Sequence, residues 1–431
     1  MHRVNSHVLH VIVVAGLLAL PAVSPWSDSA AGQAPPATGV TVFEGARVIV
    51  GDGRAPIENA AFVVTAGRFT EVGRAGAVRV PAGAARVNLA GKTVMPAIND
   101  THTHLSQTRE ALTSDLQRRA FYGVATALSM GQDTSDVPFQ IRAQPLPGAA
   151  RIFSAGRGIT MPEPGRTEAP FWVSTVAEAR KAVQDNAARK VDIIKIWVDD
   201  RNGMYKKLPP DLYGPIIDEA HKNGLRVTAH IFALEDAKGL LRAGVVAFAH
   251  GVRDRDVDDE FMALVKQHPN LVLNPNLPDR GVKADLSWLK DSLPAAELQK
   301  LEEGNTDRPQ AQAQFGIQAR NLAKMSAAGV RVVLGTDGNT PWAPHVEMTD
   351  MVAAGMTSAQ VIVAATRNGA EFLKLTDTGT IEANKRADFI VLDANPLEEI
   401  TNTRRLSSVY LGGAAVNRAA FRAGQTGTPS R

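Results

Sequence analysis

The sequence predicts an α/β fold: a (β/α)8 TIM barrel carrying a small β-sandwich built from both chain ends. Three observations predict it. Apolar runs of strand length alternate with helical patterns from residue 94 to residue 376. Short Val-, Phe- and Thr-rich stretches divided by Gly/Asp turns flank that region on both sides. His102-Thr103-His104 follows the first strand of the alternating region, where a doubly wound open sheet usually places a phosphate-binding glycine turn.

The elements follow in order. Residues 1–34 read as a signal peptide and the start of a linker. Arg3 gives a positive start, and the apolar run over 8–20 is too short for a membrane span and breaks at Pro21. Ser29, Ala30, Ala31 and Ala34 then suit cleavage. The expectation is an exported chain, periplasmic or secreted, with no stable membrane insertion after processing. The Pro/Ala linker gives way to β-rich stretches over 40–93, at 40–50, 61–65, 69–72 and 85–89. Barrel strands are expected at 94–98, 126–130, 151–155, 193–198, 226–230, 246–250, 271–274 and 331–336. Helical patterns such as 176–190 and 210–223 lie between them. Residues 377–431 return to β character and are too few to fold alone, so they are expected to complete the sandwich begun by 40–93.

Composition narrows the function. Lys and Arg number 47 against 44 Asp and Glu, a net charge of +3 with no basic stripe, so nucleic acid is not the expected partner. A small-molecule substrate is, and a homo-oligomer is left open. Cysteine is absent, which excludes disulfides, thiolate metal ligands and a Cys nucleophile.

The candidate chemistry lies at strand ends. Residues two apart in a strand share a face, so His102 and His104 offer two imidazoles to one point at the C-terminal mouth of a barrel. Lys195 sits within the apolar run Ile193-Ile194-Lys195-Ile196-Trp197, where a bare ammonium is unfavourable unless paired or modified. His230, His250 and Asp337 each end a predicted strand. Of the ten histidines, His2, His7 and His10 fall in the leader, and four of the remaining seven end predicted strands. Scattered structural histidines would not cluster in that way. His221 and His268 read as surface residues.

The run Met95-Pro96-Ala97-Ile98-Asn99-Asp100-Thr101-His102-Thr103-His104 resembles the first-strand signature of the amidohydrolase superfamily, departing from it locally at Ala97 and Asn99. Gly335-Thr336-Asp337 resembles the eighth-strand motif, and Asn384 to Asp393 followed by Asn395-Pro396-Leu397 the closing sandwich strand. Within the superfamily the chain is most similar to the imidazolonepropionase-related and prolidase-like branch. The resemblance implies two divalent metal ions, with Zn²⁺ favoured and Mn²⁺ or Co²⁺ compatible. His102, His104 and Asp337 would hold one ion, and His230 and His250 the other. Lys195, carboxylated by carbon dioxide, would bridge them as a carbamate. The implied activity is that of a carbon–nitrogen hydrolase in which a metal-activated hydroxide cleaves an amide or peptide-like bond of a dipeptide or N-acyl amino acid. Asp337 and His250 are the candidate catalytic residues, with Asp337 moving the proton.

One alternative is a mononuclear deaminase or cyclic-amide hydrolase, and another is lactone, ester or carbamate hydrolysis at the same site. Deaminase-like members place a Glu three residues after the fifth-strand His; here that position is Ala233, and the nearest Glu is Glu235. Loop residues Arg157, Tyr205 and His345 are candidate substrate contacts, with Arg157 suited to a carboxylate. Asn274, Asn276 and Trp342 are further pocket candidates.

Overall fold

A computed structural model describes residues 39–419 and 421–422, and the structural statements concern those residues. The signal peptide expected over 1–34 lies outside them. Among the described residues no helix is long and apolar enough to cross a membrane.

The chain opens with β1 (Val40–Val48), β2 (Ile57–Thr65), β3 (Arg68–Arg74), β4 (Ala85–Asn88) and β5 (Thr93–Pro96). β1 pairs antiparallel with β2 and parallel with both β4 and β5. It can serve three partners because its register shifts around Gly45, whose φ of 88° is a left-handed value that favours glycine.

The central region follows with β6 (Ile98–Thr103), β7 (Val124–Ser129), β8 (Arg151–Ser154), β9 (Ile159–Thr160), β10 (Phe171–Trp172), β11 (Ile194–Val198), β12 (Val227–Ile231), β13 (Ala247–Ala249), β14 (Val272–Asn274) and β15 (Arg331–Val332). Ladders run β6-β7-β8 and β10-β9-β11-β12-β13-β14-β15, all parallel. Every residue of β6, β7, β11 and β12 is buried, as parallel strands covered on both faces require. The covering helices include Arg109–Phe121, Val176–Ala188, Pro210–Lys222 and Asp259–Gln267. The second of these starts at a reciprocal cap, with Thr175 and Glu178 satisfying each other's backbone N–H groups. The ladders form two arcs rather than one registered ring. Backbone bonds cross both gaps: Asp192 N–H to Ser154 O at 2.8 Å, and Thr101 N–H to Leu334 O at 2.9 Å.

The chain returns with β16 (Phe389–Leu392), β17 (Leu406–Leu411) and β18 (Ala414–Ala415). β16 lies antiparallel against β5, pairing Phe389 with Pro96. Both chain ends therefore share one structure, but it is a single eight-stranded sheet in the order β18-β17-β16-β5-β1-β2-β3, with β4 on β1. The small sandwich expected from the two chain ends is seen here as one continuous ladder, because β1 and β5 link the two halves directly. Its core is aromatic: Phe43 stacks on Phe62 at 4.9 Å and Phe389 on Tyr410 at 4.6 Å, with Phe69 beside them.

The strand expected at 94–98 divides in two. β5 belongs to the end sheet, and the strand that carries His102 is β6, with Ala97 between them.

Candidate metal centre

His102 lies inside β6 and His104 just beyond it, with ring centroids 5.4 Å apart. His250 follows β13, 5.2 Å from His102 and 4.7 Å from His230 between centroids. Asp337 joins the histidines: Oδ1 lies 3.0 Å from His104 Nε2 and 3.1 Å from His102 Nε2, and Oδ2 lies 3.5 Å from His250 Nε2. The ligand atoms of His102, His250 and Asp337 all fall within 4.8 Å of one another. This tight group cuts across the division implied by family resemblance, which puts His250 with His230.

Two of these residues have left-handed backbones, His250 at φ 79° and Asp337 at φ 52°. Aspartate tolerates that region, whereas for His250 the surrounding structure holds an uncommon backbone in place. The 102–104 segment tethers the Asp337 loop. Asp337 N–H donates to His102 O at 2.8 Å, and His104 N–H donates to Gly338 O at 3.1 Å.

Lys195 is fully buried on β11, and its Nζ has no hydrogen-bond partner. Burial pulls its pKa down to about 7 against the opposing pull of Asp337. The Trp197 indole packs beside it, with Nζ 5.3 Å from the ring centroid. Burial likewise lowers His102 to about 4 and His230 to about 3, and it takes His250 well below its ordinary value. Burial also raises the Asp337 carboxyl, but the His102 and His250 imidazoles outweigh it and hold the group far below the usual carboxylate range. Neutral imidazoles around one carboxylate are the protonation states a metal ion requires.

Buried atoms without partners test whether a metal fits. His102 Nε2, His104 Nδ1, Lys195 Nζ and His250 Nδ1 are all buried with no hydrogen bond. Orphaned donors and acceptors at this density are unfavourable in a protein core. A divalent cation coordinated by nitrogen and oxygen would relieve His102 Nε2 directly.

The candidate ligands have partners of their own, of which only Asn276 is a candidate from sequence. His102 Nδ1 donates to Asn276 Oδ1 at 2.8 Å, which leaves Nε2 as the lone-pair nitrogen facing Asp337. His230 Nε2 lies 2.9 Å from Asp199 Oδ2 and 3.2 Å from Arg201 Nη1. Beneath β6, Asp100 and Arg119 form a fully buried ion pair at 3.0 Å. Arg119 Nη2 also donates to Gly338 O at 3.1 Å, and Thr336 Oγ1 donates to Asp100 at 2.9 Å, which ties the Asp337 loop to that pair.

A cavity of about 100 Å³ opens beside the cluster, lined by His104, His230, Asp337, Trp197, Arg201 and Glu163 among others. The three candidate substrate residues are not on its wall. Arg157 donates to the carbonyls of Glu168, Ala169 and Pro170 and lies 4.2 Å over the Phe171 ring, so it braces its own loop. Tyr205 Oη donates to Pro164 O. His345 is fully buried between Tyr122 O at 2.9 Å and Thr403 Oγ1 at 3.1 Å. Among the other pocket candidates, Asn276 meets the site, and Asn274 Nδ2 donates to Thr101 Oγ1 while its carbonyl accepts from His250 N–H. His221 is exposed, and His268 bonds its own helix at Leu264 O.

Histidines and an aspartate converging from the ends of parallel strands define a metal-hydrolase type of site. A model of the amidohydrolase family matches residues 93–416, and the chain belongs to that family. It is 31% identical over 233 residues to an uncharacterized protein of Mycobacterium tuberculosis, covering 50% of this chain and 56% of that protein. The chain thus spans little more than half of that relative. It is 24% identical over 388 residues to the imidazolonepropionase of Deinococcus radiodurans, covering 83% of this chain and 92% of the relative. Among solved structures, molinate hydrolase superposes with a TM-score of 0.74 at 22% identity, covering 91% and 98% of the two chains. A Xaa-Pro dipeptidase with methionine bound in its active site gives 0.70 at 22%, covering 87% and 99%. These likenesses establish a TIM-barrel-like fold.

Proposed function

We propose that this chain is an exported, metal-dependent hydrolase that cleaves an amide or peptide-like bond in a small molecule of the dipeptide or N-acyl amino acid type. Lys195 carries the reading: a buried amine with no partner, among neutral histidines, at the base of a family-typical site. When bound, divalent metal ions, with Zn²⁺ best suited to these donors, polarise a carbonyl and lower the pKa of a coordinated water toward neutrality. His102, His104 and Asp337 would hold one ion, and His230 and His250 the second.

Lys195 is close enough to both sets for its charge to act on His102 and on His230. Its neutral amine would add to carbon dioxide, forming an N–C bond and releasing one N–H proton to solvent, so that a buried base becomes an anionic carbamate that would help hold the ions. Asp337 accepts the proton of the attacking water and returns it to the departing amine nitrogen. The deaminase alternative asks for a glutamate beside His230. Glu235 is instead largely exposed and paired with Lys238 at 3.1 Å, away from that role.

The test is metal analysis combined with ¹³C NMR after equilibration in ¹³C-bicarbonate, followed by hydrolysis assays on N-acyl amino acids, dipeptides, lactones and esters. Two metal ions per chain and a carbamate resonance, both lost in Lys195→Ala and partly restored by short carboxylic acids, are expected. One ion per chain with no carbamate in the wild type overturns the binuclear reading.

A further inference from the structure

The centre is ringed by arginines, and most are already committed. Arg201 pairs with Asp199 at 2.7 Å and with Glu163 at 3.1 Å, while Arg166 pairs with Glu163. Arg157 is spent on loop carbonyls. Arg253 differs. It follows His250 by three residues, and its backbone N–H donates to Phe232 O at 2.8 Å, two residues past His230. It therefore sits where the loops leaving the His230 and His250 strands meet, outside the wall of the cavity of about 100 Å³ but close enough for its charge to act on Lys195, His230 and His250. Among the described residues its guanidinium makes no hydrogen bond and no ion pair, and its Nε is buried. The adjacent Asp254 is used elsewhere, by Leu234 N–H and Arg255.

A guanidinium whose Nε is buried without a partner, and that no carboxylate of the chain engages, is free to take one from outside the chain. The electrostatics agree. Burial lowers the Arg253 pKa, and the charges of Asp337 and Asp199 do not offset it, so the cation remains under-compensated. A planar anion is the matching partner, because a guanidinium fork bonds a carboxylate through two parallel N–H groups.

We propose that Arg253 anchors a free carboxylate on the substrate, holding it beside the bond to be cleaved. This rests on the amide-hydrolase reading and assigns, within its dipeptide or N-acyl amino acid class, the residue that would hold the free carboxylate. Arg201 and Arg166 are weaker candidates, since an incoming anion would have to displace Asp199 or Glu163.

The experiment uses calorimetric binding of a panel of N-acetyl-L-amino acids and their uncharged amides to the wild type, Arg253→Met and Arg253→Lys, with urea unfolding of each variant. At least one acid is expected to bind the wild type more tightly than its amide. Arg253→Met should weaken that acid by about tenfold to a hundredfold, as loss of a charge-assisted pair implies. Arg253→Lys should fall between, and the amides should not distinguish the three proteins. The unfolding midpoint of Arg253→Met should equal or exceed that of the wild type, because no internal partner is lost.

No preference for acid over amide, equal loss of both ligand forms, or a lowered midpoint would each overturn the proposal. Hydrolysis of neutral N-acyl anilides by the wild type checks the underlying activity separately. Turnover there without acid preference refutes the Arg253 role alone, and acid preference with no amide hydrolysis refutes the hydrolase reading alone.

Discussion

Replacing Arg119 with methionine probes the support beneath the metal centre. In the native chain Arg119 Nη1 is 3.0 Å from Asp100 Oδ2, and both side chains are fully buried. The substitution leaves the Asp100 carboxylate with Thr336 Oγ1 and His102 N–H but no positive charge. Stranding one member of a buried pair costs about 3–5 kcal/mol. The cost should depend on pH, with a sign fixed by Asp100. Burial raises the Asp100 pKa from 3.8 to about 6 even with Arg119 pulling it down.

A carboxyl whose folded pKa is raised holds its proton longer in the native state than in the unfolded chain. Its contribution is fully present below the unfolded value and is lost as pH rises through the folded one. From 3.8 to about 6, at 1.36 kcal/mol per pH unit, that loss is roughly 3 kcal/mol. Without Arg119 the folded pKa climbs further, so the deficit of the variant should be small at pH 5 and large at pH 8. Urea unfolding of metal-free protein at both values, followed by circular dichroism, measures this. An equal deficit at the two pH values, or a larger one at pH 5, would refute the reasoning.

Two further substitutions bear on the site. Asn276→Ala removes the acceptor that fixes the His102 tautomer, so Zn²⁺ affinity in a chelator competition should fall about tenfold to a hundredfold with the circular dichroism spectrum unchanged; unchanged affinity would show that the 2.8 Å bond does not orient the ring. Gly158→Ala would drive a Cβ into the Trp197 indole that covers Lys195. It should destabilise the chain by about 1–3 kcal/mol in urea unfolding and shift tryptophan fluorescence, and a silent variant would mean the indole has room to move.

The candidate ligands were legible because buried parallel strands read as apolar runs, and a polar residue ending several such runs stands out. His102, His230, His250 and Asp337 needed only that pattern. The same rule blurred β5 and β6, whose apolar residues run together with only Ala97 to separate two strands in two sheets. Arg157 illustrates another limit. Sequence places it on the right face of the fold, but a long side chain can turn back on its own loop, and this one does. Asp199, Arg201 and the Asp100–Arg119 pair carried no spacing signal, since their partners are fixed by packing of distant segments. Asn276 left one trace: an asparagine just after a proline tolerates the left-handed backbone seen there, at φ 41°. The single end sheet was hidden because β5 and β16 pair across almost the whole chain.

That long pairing has a consequence for the order in which the molecule comes into being. The strand bearing His102 leaves directly from β5, and β5 has its β16 partner only after residues 389–392 exist. A chain emerging from the ribosome can build its middle strands and helices, but the anchor of the His102 strand must wait for nearly the last segment made. Incomplete chains would present β5 as a bare edge. The seating of His102 is thereby tied to the arrival of the C-terminal strands, so a chain truncated before β16 would lack both the closing strand and a firmly seated His102.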